Sequence, residues 1–133
     1  RFHMLTEELN TVAKDFLESE EFPDIELSPL KLTSSDTPFS EAKLRVTVFS
    51  DFQCPLCRIF AEMTPRIIQR YGNQIQIQFI PFPLDPLCNS TIKHPSHPQS
   101  CKASYITYCL KDRFRNIHDQ IFENQNYVMD LPL

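Results

Sequence analysis

Two cysteines separated by two residues, Cys54 and Cys57, stand where a β-branched run gives way to a helical one. Leu44-Arg-Val-Thr-Val-Phe49 leads in, and the pattern from Ile59 through Tyr71 leads out. A dithiol at such a turn puts its first sulfur at a helix N-terminus, where unpaired backbone N–H groups and the helix dipole favour thiolate over thiol. A thiolate there attacks disulfides well and leaves easily, so a disulfide made at this position passes on readily. Cys54 is therefore the expected attacking sulfur, and Cys57, one helical turn further in, the resolving one. Pro55 between them is pre-organised for the first helical position and gives up no needed donor. Leu56 brings neither charge nor hydrogen bond, which leaves stabilisation of the thiolate to the backbone. Half of a metal site and an inert structural bridge are the competing readings of the pair.

The surrounding pattern extends this to a fold. Gly72, the single glycine of the chain, is placed to end the helix as a C-terminal cap. Ile59, Phe60, Met63, Ile67 and Ile68 form the predicted apolar face of that helix, and Pro65 should bend it. Gln74-Ile-Gln-Ile-Gln-Phe-Ile80 alternates and predicts a strand with one apolar face. Strand, helix and strand of these lengths make a βαβ unit with parallel strands and a right-handed crossover. Residues 81–98 are too rich in proline for regular structure. A helix from Gln99 to about Leu110 should follow, with Ala103, Tyr105, Ile106 and Cys109 inward. Another should run from about Arg115 to Asn124 with Ile117, Ile121 and Phe122 inward. Upstream, Leu5, Leu9, Val12, Ala13, Phe16 and Leu17 predict an amphipathic helix starting near Thr6, either docked on the domain or serving as a stalk. Residues 19–43 read as an extended connector, in which Ile25, Leu27 and Leu30/Leu32 hint at a short edge strand. The division is thus 1–43, helix and linker, and 44–133, the domain.

Composition narrows the partners. At 133 residues the chain is long enough for one core. A net charge of -4 with no Lys/Arg cluster argues against nucleic acid. No run approaches the roughly 18 apolar residues of a membrane helix. The start, Arg1-Phe-His-Met, lacks a signal-peptide pattern and reads as a cut into a longer protein. Cys54/Cys57 and Cys88/Cys101 as two local pairs point to a disulfide-permissive compartment, and Cys109 is expected to be a buried small hydrophobe. A Cys88–Cys101 bridge would close about 14 residues and stabilise by roughly 3 kcal/mol on the chain-entropy model. A zinc site of Cys88, His94, His97 and Cys101, or free thiols, are the other options. Asn89-Ser-Thr91 matches a glycosylation triplet of a kind that arises often by chance. Asp51 reads as a turn residue or as a proton acceptor near the buried thiol, and His118 as a surface or packing residue.

Val48-Phe-Ser-Asp-Phe-Gln-Cys-Pro-Leu-Cys57, with Phe60-Ala61 and Pro65-Arg66, resembles DsbA-like members of the thioredoxin superfamily. More narrowly, Pro83-Leu-Asp-Pro-Leu-Cys88-Asn89 with His97-Pro98 and Cys101-Lys-Ala103 resembles thioredoxin-like domains fused to bacterial vitamin K epoxide reductase homologues. The similarity covers about residues 40–124. It implies an α/β, thioredoxin-like fold with a helical insertion after the second strand, and dithiol–disulfide exchange with Cys54 as nucleophile and Cys57 as resolving thiol. It favours a structural Cys88–Cys101 disulfide over a metal site. It further implies a periplasmic or otherwise extracytoplasmic setting, with a membrane tether in a longer protein as an option. Cysteine-containing proteins would be the substrates. A vitamin K epoxide reductase-like membrane oxidase would reoxidise Cys54 and Cys57 through a quinone, with no cofactor, metal or nucleic acid in the domain itself. Such families continue with a cis-proline loop, two antiparallel strands and a last helix. Here Tyr127-Val-Met-Asp-Leu-Pro-Leu133 ends the sequence and Pro132 has no strand after it, so that half is expected to be missing and the sheet to have an open edge. A reductase or isomerase would use the same residues, and a non-catalytic binding module would hold the pair inert.

Overall fold

The computed structural model describes residues 25–129 together with Glu7, Asn10, Thr11, Lys14, Asp15, Leu17 and Glu18. These seven N-terminal residues are helical and exposed. Thr6, Leu5, Leu9, Val12, Ala13 and Phe16, on which the predicted amphipathic face rests, lie outside the described residues, as does Pro132.

Strands β1 (Leu44–Ser50) and β2 (Ile75–Pro81) run parallel, with Leu44 opposite Ile75 and Ser50 opposite Pro81. Helix α1 (Pro55–Tyr71) connects them, which is the predicted βαβ unit. Gly72 closes α1 at φ 53°, a left-handed conformation that side chains with a Cβ rarely adopt, and its N–H donates to the Ile68 carbonyl.

β2 departs from the expected single apolar face. Ile75, Ile77 and Phe79 are buried on one side, yet Gln76 and Gln78 on the other are each only 1% exposed. The segment 28–35 covers them. Leu32 N–H donates to Ile77 O at 3.0 Å and Phe79 N–H to Leu30 O at 2.8 Å, so this stretch pairs antiparallel with the free edge of β2. The Gln78 amide accepts from Ser28 N–H (3.0 Å) and donates to Thr47 Oγ1 (2.9 Å). Gln76 takes the Thr33 hydroxyl and donates to Ser35 O. The polar alternation therefore marks a central strand whose amides satisfy the cover, since buried polar groups need partners. Leu30 and Leu32 sit in the core, so part of the predicted linker completes the sheet layer. Among the described residues β1 pairs on one side only.

After the loop come α2 (Ser100–Cys109), α3 (Phe114–Glu123) and the short α4 (Gln125–Met129). Of the predicted inward residues of α2 only Ala103 is buried, beside Ser100, Cys101, Ser104 and Thr107; Tyr105, Ile106 and Cys109 are exposed. Small side chains allow close packing there, and their hydroxyls are satisfied locally: Ser100 Oγ donates to His97 O at 2.9 Å, Ser104 Oγ to Ser100 O at 2.8 Å and Thr107 Oγ1 to Ser104 O at 2.7 Å. A similar choice is made in α1. Cys57, Ala61, Thr64, Ile67 and Ile68 pack inward, whereas Ile59 and Met63 are about half exposed. The helix carries two neighbouring apolar stripes, and the sheet layer covers one.

Candidate active site

The turn Asp51–Cys54 is held from inside and below. Phe52, 1% exposed, lies 5.2 Å ring to ring from both Phe79 and Phe122, which nails the turn to the core. Cys54 N–H donates to Asp51 O at 3.1 Å. The Asp51 carboxylate accepts Gln53 N–H through Oδ1 (2.7 Å) and Leu84 N–H through Oδ2 (2.6 Å). Asp51 is thus a turn residue whose two oxygens are occupied by backbone donors. Cys54 caps α1 with extended φ/ψ (-76°, 122°), and its carbonyl accepts the Arg58 N–H at 3.1 Å. No side chain caps this end, and Pro55 takes the first helical position. The N–H groups of the first turn thus meet no capping side chain beside the Cys54 sulfur. Leu56 projects outward, 75% exposed.

Cys54 and Cys57 are both half-buried free thiols. Burial pushes the Cys57 thiol above its ordinary value of 9.0. Hydrogen bonds from the Ser50 hydroxyl and the Asp51 backbone work in the opposite direction. The Cys54 sulfur raises Cys57 further, both by hydrogen bond and by charge. At neutral pH Cys57 is accordingly protonated.

The proline-rich loop is fastened onto this turn. Cys88 and Cys101 are joined in a disulfide, with Cα atoms 5.9 Å apart. Leu84 links the limbs, its N–H on Asp51 and its carbonyl accepting Ser96 N–H (3.0 Å) and His97 N–H (3.2 Å). Gln99 N–H donates to Gln53 Oε1 at 2.6 Å. His97 Nδ1 comes within 3.1 Å of Asp51 Oδ1 but off the line that a hydrogen bond requires. Both cysteine sulfurs are used in the bridge, and among the described residues no group of three or more His, Cys, Asp or Glu is arranged to hold a metal. Asn89 of the glycosylation triplet shapes the loop, accepting Thr91 N–H and donating to Pro83 O.

Residues 45–129, well over half of the chain, match the DSBA-like thioredoxin domain. The chain belongs to that family. The Cys54–Cys57 pair, the bridged loop and all three helices after β2 fall inside the matched span, and the thioredoxin-like α/β architecture follows from it. Comparison with curated proteins and with solved structures gave no match. The DsbA-like family assigns the chain to thiol–disulfide oxidoreductase chemistry, and such domains are typically extracytoplasmic. Among the described residues no helix is long and apolar enough to cross a membrane.

Several parts of the DsbA-like site carry no signal in the sequence. Ser50 closes an apolar strand and is unremarkable in spacing, yet its hydroxyl reaches Cys57. Gln125, 4% exposed at the start of α4, donates to the carbonyls of Phe52 (2.8 Å) and Cys54 (3.1 Å) from more than 70 residues away. His118 is a packing residue, 1% exposed among Phe79, Phe114 and Phe122, with Nδ1 on Asp119. A cleft of about 430 Å³, lined in part by Gln53, Pro55, Ile59 and Gln125, opens beside the turn.

Proposed function

We propose that this DsbA-like domain donates disulfides to cysteine-containing proteins outside the cytoplasm. A vitamin K epoxide reductase-like membrane partner, which passes electrons to a quinone, would reoxidise it. The observation that carries the reading is Cys54 at the uncapped N-terminus of a 17-residue helix, above a Cys57 that burial keeps protonated. A substrate thiolate attacks Cys54 Sγ, the Cys54–Cys57 bond breaks, and Cys57 leaves and takes up a proton. A second substrate thiolate then attacks the substrate sulfur of the mixed disulfide, and Cys54 leaves as thiolate. Two electrons have passed to the domain and the substrate holds a new disulfide. Because a protonated Cys57 is a poor nucleophile, return attack on the mixed disulfide is slowed, which gives the second substrate thiol its chance. This supports donation over reduction. Within the domain the chemistry needs only the two thiols, and the quinone acts at the partner.

Equilibration in defined glutathione buffers, followed by peptide mapping of the bridged cysteines, tests the proposal. The expected potential of Cys54–Cys57 lies between about -120 and -200 mV, with Cys88–Cys101 closed throughout. A value near about -270 mV would make the domain a reductase. A pair that never exchanges in the folded chain would make it a binding module.

A further inference from the structure

The Gln125 side chain is joined to the redox turn in a way that packing does not explain. It arises from α4, and its place is fixed by the end of α3, where Phe122 stacks on Phe52 at 5.2 Å and Asn124 N–H donates to Gln120 O at 3.1 Å. Its Nε2 has two hydrogens, and both are spent on carbonyls of one short turn, Phe52 O at 2.8 Å and Cys54 O at 3.1 Å. Cys54 O at the same time accepts the first backbone bond of α1, from Arg58. The amide therefore fixes both peptide planes that flank Gln53 and Cys54. A residue of matching size and no donors would fill the same space.

We infer that Gln125 is a positioning residue for the Cys54–Cys57 exchange, a role that rests on the proposed oxidoreductase function. Two physical effects act together. Pinning the Cys54 carbonyl holds that residue in the capping conformation, which keeps its sulfur at the N-terminus of α1. The Cys54 carbonyl oxygen is also the negative end of a dipole on the residue that bears the sulfur, and the Gln125 N–H offsets its field. A thiolate exists only in the reduced state, so both effects favour that state and make the disulfide a stronger oxidant. Without the donors the reduced form is weakened and the domain oxidises its partners less readily.

Wild-type chain and Gln125→Met, which is close in size and donates nothing, are equilibrated with glutathione, two thiols being consumed and one glutathione disulfide released for each protein disulfide reduced. The variant's equilibrium is expected to shift towards the protein disulfide by about threefold to tenfold, the scale of one net hydrogen bond, or about 14–30 mV. The pH profile of Cys54 alkylation should move to higher pH in step. A folded variant with equilibrium and profile unchanged within about twofold overturns the inference and leaves Gln125 a purely structural residue. Should the variant not fold, wild-type chain with ¹⁵N-labelled glutamine decides: the Gln125 amide resonances are expected to shift between oxidised and reduced forms, and resonances that stay put overturn the inference. A wild-type pair that fails to exchange with glutathione sinks the oxidoreductase reading itself and this inference with it, an outcome read before any variant is compared.

Discussion

Removing the Asp51 carboxylate should destabilise the domain strongly while leaving thiol exchange in the folded protein intact. The carboxylate is 4% exposed and accepts two backbone donors, Gln53 N–H and Leu84 N–H. A hydrogen bond to a charged group contributes about 1.5–3 kcal/mol, so Asp51→Ala, which strands both donors, should cost about 3–5 kcal/mol after allowance for relaxation. Asp51→Asn keeps one acceptor oxygen and turns an NH₂ towards the other donor, for a cost of about 2–3 kcal/mol. At about 3–5 °C per kcal/mol for a domain of this size, the alanine variant should melt about 9–25 °C lower and the asparagine variant about 6–15 °C lower. Circular dichroism melts give the midpoints, and stopped-flow reaction with glutathione well below both midpoints gives the rates. The rival role for Asp51 is proton acceptor for Cys57. On that account the asparagine variant melts within about 2 °C of wild type and exchanges more than tenfold more slowly, and this result would refute the structural argument.

Cys57, whose thiol is raised above 9.0 by burial, supplies stability that is fully present below that value and is lost as pH climbs through its folded value. The reduced domain should therefore weaken relative to the oxidised one above about pH 9, as urea midpoints of the two forms would show, and Ser50→Ala should push Cys57 alkylation to still higher pH. Opening the loop by Cys88→Ser with Cys101→Ser should cost about 3 kcal/mol and raise proteolysis between residues 84 and 99; an unchanged midpoint would show that the hydrogen bonds to Asp51 and Gln53 hold the loop unaided. Gly72→Ala should cost about 1–3 kcal/mol because φ is 53° there, although its Cβ meets nothing within 4 Å, so a neutral change would mean the helix end refolds. Cys109→Ser should be neutral within about 0.5 kcal/mol, and maleimide should label Cys109 in the native chain.

The covalent frame of the site was legible because it follows from local rules. A β-branched run, a proline at the first helical position and a lone glycine at the far end define β1, the turn and α1 without reference to the rest of the chain. The faces were less legible. Periodicity locates apolar stripes but does not say which of two is covered, so Ile59 and Met63 were placed inward with Ile67. In α2 the apolar residues Tyr105 and Ile106 stand outward because Ser104 and Thr107 bond their hydroxyls to their own helix, and Ser100 bonds its own to His97 O, so all three can be buried. Gln76 and Gln78 misled in the same way. Alternation of Ile with Gln marks a half-exposed strand only when nothing polar arrives to cover the glutamines, and Ser28, Thr33 and Ser35 do.

The same kind of long-range polar contact sets the active turn, and this bears on how the domain can be tuned. Beside the local bonds from Cys54 N–H to Asp51 and from Arg58 N–H to Cys54, groups from distant parts of the chain meet the turn: Leu84 on the Asp51 carboxylate, Gln99 on Gln53, and Gln125 on Phe52 and Cys54. Cys54 is therefore positioned from the loop on one side and from α4 on the other, and not by Pro55 and Leu56 alone. Leu56 is 75% exposed beside the sulfur, so changes there alter what approaches it. Changes at residue 125 alter where the sulfur stands and how its charge is met, while those at 84 and 99 loosen the loop that flanks it. On the proposed function, what approaches the sulfur and how its charge is met thus depend on separable residues, and Gln125, more than 70 residues from the turn, is invisible to any reading confined to the motif.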